Sequence, residues 1–350
     1  MSVGNATEEP YEDMSDHDWI YTATGSFSYV VCVIGLLANT WVIWVLLRRL
    51  GLKTAGNMYI LNLAIADDLF LAGLVLQAAY QIKNVWPFGE FLCRAYFAFD
   101  GLNMYASAFF VTALSIERYM AVSRSSRARL HRKRRQAAAV SVVIWMASIV
   151  AAVPTLLATT YQASSYQSVP NGTDHLCLMD FTSFGHPGLA FWSQAFITYN
   201  FVLGLCVPLT VTCFCYGRLI IQMREVSMRS EAGADVKRVT RIVTGVVVVF
   251  FICWAPFYLC RMILVYNQDL IRWAGRPFLF ELSLVFTYIN SCVNPFIYAL
   301  ISVKFRENLP CVALRGRGYK SGKRTMVCDR NSTALTDIQH NTVITNNDSS

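Results

Sequence analysis

FSYVVCVIGLLANTWVIWVLL, residues 27–47, runs for 21 positions without a charge. A helix crosses the hydrocarbon core of a bilayer with roughly 20 mostly apolar residues, so this stretch reads as a membrane span. Six more follow it. Residues 58–82 carry two charges, Asp67 and Asp68, and residues 96–116 carry one, Asp100. Residues 137–159, 189–217, 242–260 and 282–303 carry none. A few such runs occur by chance in buried helices; seven evenly placed ones predict an all-α membrane protein, a seven-transmembrane helix bundle. Of the 350 residues 55% are hydrophobic and 15% charged, against about 25% charged in an ordinary soluble domain. The deficit lies in the seven runs.

Loop charge predicts the orientation. Residues 1–26 hold no Lys or Arg and six acids, Glu8, Glu9, Glu12, Asp13, Asp16 and Asp18. The loop after the first span carries Arg48, Arg49 and Lys53, and the loop after the third carries Arg124, Arg127, Arg129, Arg132, Lys133, Arg134 and Arg135. Alternate loops are basic, which places the N-terminus outside and the tail in the cytosol. The net charge of +8 is thereby a topology signal rather than a mark of nucleic-acid binding. The acidic leader and the length of the first run predict that the first span inserts without a cleavable signal.

Four segments are expected: an acidic outer tail over 1–26, the bundle over 27–303, an amphipathic eighth helix over 304–312 and a disordered cytoplasmic tail over 313–350. In the eighth helix Phe305 and Leu309 would face lipid, with Lys304 and Arg306 facing water. Asn5 and Asn171 open glycosylation tripeptides on the outer side. Cys311 is a candidate for palmitoylation, and the hydroxyl-rich tail is a candidate for phosphorylation. Cys93 opens the third span and Cys177 lies in the outer loop before the fifth. Both face an oxidising compartment, so a disulfide between them is expected. No Cys or His spacing suggests a metal site.

Ionisable groups inside spans are costly and point to function. Asp67 has Asn39, Asn103, Ser107, Asn290, Ser291 and Asn294 within reach on other spans, and Asn103 and Ser107 share a helix face. Such a set either holds a small hard cation such as Na⁺ or glues the helices together. Asp100, two turns in from Cys93, either meets a ligand cation or pairs with Arg261. Glu117 adjoins Arg118 at the inner end of the third span and can hold it at rest. Pro154, Pro208, Pro256 and Pro295 interrupt four spans, and a kinked helix can swing its end.

Taken in order, these residues resemble the rhodopsin-like (class A) G-protein-coupled receptors over about residues 27–310. The likeness rests on Gly35 and Asn39; Asn62, Leu63 and Ala64 with Asp67; Trp86, Pro87, Phe88 and Gly89 before Cys93; Glu117, Arg118 and Tyr119; Trp145; Pro208 with Tyr216; Phe250 with Cys253, Trp254, Ala255, Pro256 and Phe257; and Asn294, Pro295, Phe296, Ile297 and Tyr298. Within the class the chain is most similar to the somatostatin and opioid branch, through WPFGEFLCR at 86–94, Asp100 with Asn103 and Met104, KRVTR at 237–241 and YINSC at 288–292.

The resemblance implies a ligand site of Asp100, Met104, Trp254, Phe257, Tyr258, Arg261 and Tyr288, with Trp254 on the floor. It implies an allosteric Na⁺ site, with no other cofactor, at Asp67, Asn39, Asn103, Ser107, Asn290, Ser291 and Asn294. It implies an activation switch of Glu117, Arg118, Tyr119, Tyr216, Phe250, Pro256, Pro295 and Tyr298. The expected partners are an extracellular, basic neuropeptide, a G protein of the Gi/o type, arrestin and receptor kinases. Small-amine receptors, melanin-concentrating-hormone receptors and relaxin-3 receptors are the alternatives. A photoreceptor is excluded by the lack of a Lys in 282–303, and a transporter or enzyme by the lack of repeats or a catalytic constellation. Met104 and Arg261 depart from the Gln and Asn common in somatostatin receptors. A cation at Arg261 would either neutralise Asp100 or favour an acidic ligand group. Ala108 replaces a branched aliphatic residue beside Pro208 and Phe250. Val236 stands where an acid is usual, which would leave Glu117 alone to restrain Arg118.

Overall fold

The computed structural model describes residues 18–83, 85–123, 130–163, 174–226, 233–267 and 276–308. Within them are seven helices long and apolar enough to cross a membrane. They run Asp18–Val45, Ala55–Lys83, Gly89–Ser123, Leu130–Ala158, Leu189–Phe201 continued by Val207–Val226, Gly233–Tyr266 and Arg276–Ile301. In hydrocarbon, backbone N–H and C=O groups have no water to bond, so each apolar run satisfies its own backbone as helix. Side chains such as Val30, Leu37, Phe214, Ile263 and Leu300 point outward from the bundle. The interior holds Leu63, Tyr105, Phe110, Phe250 and Tyr298, each almost fully buried.

The helices are tied by polar groups as well as by packing. The Asn62 side-chain amide donates to Ser141 Oγ (3.3 Å), and its Oδ1 accepts from Trp145 Nε1 at 2.8 Å, joining the second and fourth spans. Gly35 lies so close to the second and seventh spans that a Cβ there would meet Cys292 Sγ at 2.6 Å and Leu71 Cδ1 at 2.7 Å.

The fifth span is not a simple kink. A π-helical turn, Val202–Cys206, stands directly before Pro208. Pro208 has no N–H to give the Gly204 carbonyl, and the widened turn takes up the mismatch. The other three prolines, Pro154, Pro256 and Pro295, lie inside continuous helices.

At one end of the bundle, strands β1 (Thr159–Ala163) and β2 (His175–Met179) form an antiparallel pair with Tyr161 opposite Cys177. Cys177 is disulfide-bonded to Cys93, as expected. The Trp86 amide donates to the His175 carbonyl (2.8 Å), and its indole N–H caps the turn on the Gly89 carbonyl (2.9 Å). Beyond β2, Asp180 accepts from the Thr182 amide and hydroxyl. Those two donors hold its carboxyl below the ordinary carboxylate range.

Two expectations are corrected. The first helix begins at Asp18, so 18–26 belongs to it rather than to a disordered tail. Of the eighth helix the described residues hold one turn, Val303–Arg306, and 309–312 lie outside them. Its Phe305 does not face lipid; it is buried, 6.0 Å from the Trp41 ring and 5.6 Å from the Tyr298 ring. Two aromatic surfaces at that point outweigh burial in the bilayer. Asn5, Asn171, Cys311, the tail hydroxyls and the Val236 side chain lie outside the described residues.

Candidate ligand site and the Arg118 end

The third, sixth and seventh spans meet beneath the disulfide. There the helical spacing of Tyr96, Asp100 and Met104 turns all three inward on one face of the third span. Tyr96 and Met104 are buried, while Asp100 stays partly exposed. Among the described residues Asp100 accepts no hydrogen bond and makes no direct ion pair.

Below it lies an aromatic floor. Trp254 lies 5.7 Å from the Phe257 ring and 5.6 Å from the Tyr258 ring, and Phe250 follows at 6.0 Å. All four are buried, as is Tyr288, which packs on Phe70. The predicted ligand residues therefore do converge. The aromatic ones are packed closed, and the two charged ones retain exposure.

Arg261 faces inward. Its guanidinium sits 5.3 Å from the Phe257 ring and 6.0 Å from that of Phe280. It is within electrostatic reach of Asp100, Tyr96 and Tyr258. It does not close onto Asp100 as a direct pair.

Two features of this region were not anticipated. Glu281, in the first turns of the seventh helix, is buried and accepts from Gln81 Nε2 at 2.8 Å, with Thr24 also against it. It joins the first, second and seventh spans. It stands directly before the charge-free run 282–303, and an acid one residue outside such a run is the signal in the sequence. The other feature is Tyr105, whose hydroxyl donates to Asn200 Oδ1 across to the fifth span.

Deeper in, the Asp67 cluster assembles. Asn103 Nδ2 donates to Asp67 Oδ1 (3.2 Å) and Asn294 Nδ2 to Oδ2 (3.1 Å), and the Ser291 side chain is also against the carboxylate. Asn39 donates to the Gly35 and Ser291 carbonyls at 3.1 and 2.8 Å. Among the described residues, Ser107 Oγ, Ser291 Oγ, Asn103 Oδ1 and Asn294 Oδ1 are buried oxygens with no hydrogen-bond partner, and Asn290 has none for either amide atom. Unsatisfied neutral oxygens around a carboxylate fit a hard cation.

At the far end Arg118 pairs with Glu117, and both are largely buried. The Arg118 guanidinium lies near enough to Gly56 that a Cβ there would be 3.0 Å from Nη2. Tyr216 lies close to Arg118 and Thr244 without completing a hydrogen bond of good geometry. Tyr119 rests edge-on against Phe214, and the Tyr298 hydroxyl is buried without a partner among the described residues. Tyr216 is thus a neighbour of Arg118, but among the described residues neither its hydroxyl nor that of Tyr298 is bonded to the arginine.

Comparison with known proteins agrees with this geometry. Residues 38–298 match the family model for the 7 transmembrane receptor (rhodopsin family). The chain is 36% identical over 336 residues to a somatostatin receptor type 2 of Mus musculus, covering 93% of this chain and 85% of that protein. It is 37% identical over 294 residues to a somatostatin receptor type 5 of Rattus norvegicus, covering 83% and 77%. A somatostatin receptor type 4 of Rattus norvegicus is 36% identical over 283 residues, covering 80% and 69%. The chain is therefore a multi-pass membrane receptor, not an enzyme. It belongs to the rhodopsin family of G-protein-coupled receptors, in the peptide-receptor branch that contains the somatostatin receptors.

Proposed function

We propose that this receptor binds an extracellular peptide through a basic group on Asp100 and signals through a G protein of the Gi/o type. The observation that carries the reading is Asp100 itself: a carboxylate inside the bundle, partly exposed, with no direct partner among the described residues. An ionisable group inside a span is costly without a partner, and a ligand cation would offset that cost. The acidic residues of 1–18 would steer a basic ligand toward the site. The somatostatin receptors among the relatives favour a peptide over other cations.

On this reading the disulfide end and the N-terminus face outward, in keeping with the basic loops at the other end. The agonist binds the active arrangement better and shifts the population toward it. Trp254 receives the ligand, the Asp67 cluster holds Na⁺ in the resting state, and release of Arg118 from Glu117 opens the G-protein surface. Arrestin and receptor kinases would act on the hydroxyl-rich tail.

A small-amine receptor would use Asp100 in the same way. It is disfavoured because the fifth span offers no free hydroxyl there: Asn200 is engaged by Tyr105, and the space beside Gly204 is filled by Tyr258. Melanin-concentrating-hormone-like and relaxin-3-like peptides remain within the peptide reading. The test is a second-messenger screen of the expressed receptor against a neuropeptide library and a monoamine panel, with and without pertussis toxin. Activation by a basic peptide, abolished by the toxin, is expected. Activation by monoamines alone overturns the peptide assignment, and toxin-resistant signalling overturns Gi/o.

A further inference from the structure

We propose that Arg261 forms a second, anion-recognising subsite beside Asp100, so that the ligand is a peptide carrying an acidic group close to its basic one. The proposal rests on the reading of Asp100 as the cation anchor and adds a second requirement to it.

The other acidic and basic side chains of the bundle interior each have a direct partner among the described residues. Asp67 is bonded to Asn103 and Asn294, Asp68 to Thr40, Glu281 to Gln81, and Arg118 to Glu117. Asp100 and Arg261 differ from all of these. They carry opposite charges, and the Tyr96 and Tyr258 hydroxyls lie within electrostatic reach of both. Yet among the described residues they form no direct ion pair, and neither makes a hydrogen bond.

Arg261 has a hold of another kind. Phe257 of its own helix and Phe280 of the seventh span flank its guanidinium. Ring contacts fix the position of a guanidinium without using its five N–H donors. Those donors are suited to a carboxylate, which they can grip with two parallel bonds. The floor below, Trp254, Phe257 and Tyr258, is buried, whereas Asp100 and Arg261 are both partly exposed. An entering ligand therefore meets one anion and one cation together.

The consequence for selectivity is electrostatic. A lone cation docked on Asp100 would stand in the field of Arg261 and be repelled by it, strongly so away from water. A neighbouring acid on the ligand converts that repulsion into a second attraction, and it discriminates against peptides that are only basic. Glu281 does not take this role from a ligand acid or from Arg261, because its carboxylate is engaged by Gln81.

The experiment uses the full chain expressed in cells with a G-protein activation readout. The probes are synthetic Lys- and Arg-containing peptides in matched pairs: Asp against Asn beside the basic residue, and free C-terminal acid against amide. The acid members should be about tenfold or more potent than their neutral mates on the wild-type receptor. On Arg261→Gln at equal surface expression that preference should vanish, while Arg261→Lys should keep part of it. The wild-type and Arg261→Lys results decide the matter even if Arg261→Gln fails to reach the surface. Equal potency of both members of every pair on wild type overturns the Arg261 subsite and leaves the Asp100 anchor standing. Activation by acid peptides that have no basic group overturns the anchor instead.

Discussion

The Tyr258 hydroxyl fills the space beside Gly204: a Cβ on Gly204 would lie 1.8 Å from that oxygen and 2.6 Å from the ring carbon bearing it. The glycine is needed for this approach, not for a special backbone angle, since it sits in the π-helical turn before Pro208. Tyr258 is buried against Trp254 and has little room to retreat. Gly204→Ala should therefore destabilise the receptor by about 1–3 kcal/mol, the usual cost of overpacking. Tyr258→Phe in the same chain should return part of the lost melting temperature in detergent. Strictly additive effects of the two changes would show that the contact is not what limits stability.

At the other end, Glu117 pairs with Arg118, and no other acid contacts that arginine among the described residues. Glu117→Gln removes the charge and keeps the shape. If the ion pair biases the resting state by ~1–2 kcal/mol, ligand-free nucleotide exchange on the G protein should rise roughly 5- to 30-fold. Exchange at the wild-type level would mean that Glu117 does not restrain Arg118. Gly56→Val, which crowds the guanidinium from the second span, should move basal exchange in the same direction.

The Asp67 cluster predicts an ion effect. Agonist affinity measured in NaCl and in choline chloride should differ, by about 5-fold or more for a coupling of ordinary size. Asp67→Asn should remove that difference at unchanged expression, because the neutral oxygens that remain lack the charge a cation needs. A difference that survives Asp67→Asn would make the cluster a purely structural network.

Glu281 tests the opposite case, a buried carboxylate with a structural task. Glu281→Ala strands Gln81 in the interior and should cost about 1–3 kcal/mol. Glu281→Gln keeps a hydrogen-bonding partner and should cost clearly less. Thermal melts of the two variants give the comparison; equal losses would mean that the Gln81 bond contributes little.

Much of this arrangement was legible in the sequence because the bilayer imposes a simple rule on it. Charge-free runs gave all seven spans, and polar residues that a span tolerates only for a reason marked Asp67, Asp100 and Arg118 in advance. The ends of elements were harder. Helices continue past the hydrocarbon into polar residues, so the first began at Asp18 and the seventh at Arg276, which hid Glu281. The π-helical turn inserts a local change of period that a 20-residue pattern does not resolve. Phe305 turned inward because Trp41, far away in sequence, and Tyr298, seven residues before it, form its pocket. Whether Arg261 faced Asp100 or lipid depended on Phe280 of a different span.

The central claim is that Asp100 anchors a ligand cation, and charge at one atom pair tests it most directly. Once a basic agonist is in hand, its affinity should be measured on wild type, Asp100→Asn and Asp100→Glu at matched surface expression. Loss of a desolvated charge-assisted contact typically costs 2–5 kcal/mol, or roughly 30- to several-thousand-fold in affinity. Asp100→Asn should show a loss of that order, with Asp100→Glu retaining much of the affinity. Replacing the ligand's basic group by a neutral isostere should cost the wild type as much and cost Asp100→Asn almost nothing further. Normal affinity in Asp100→Asn, with the receptor fully expressed, would contradict the account.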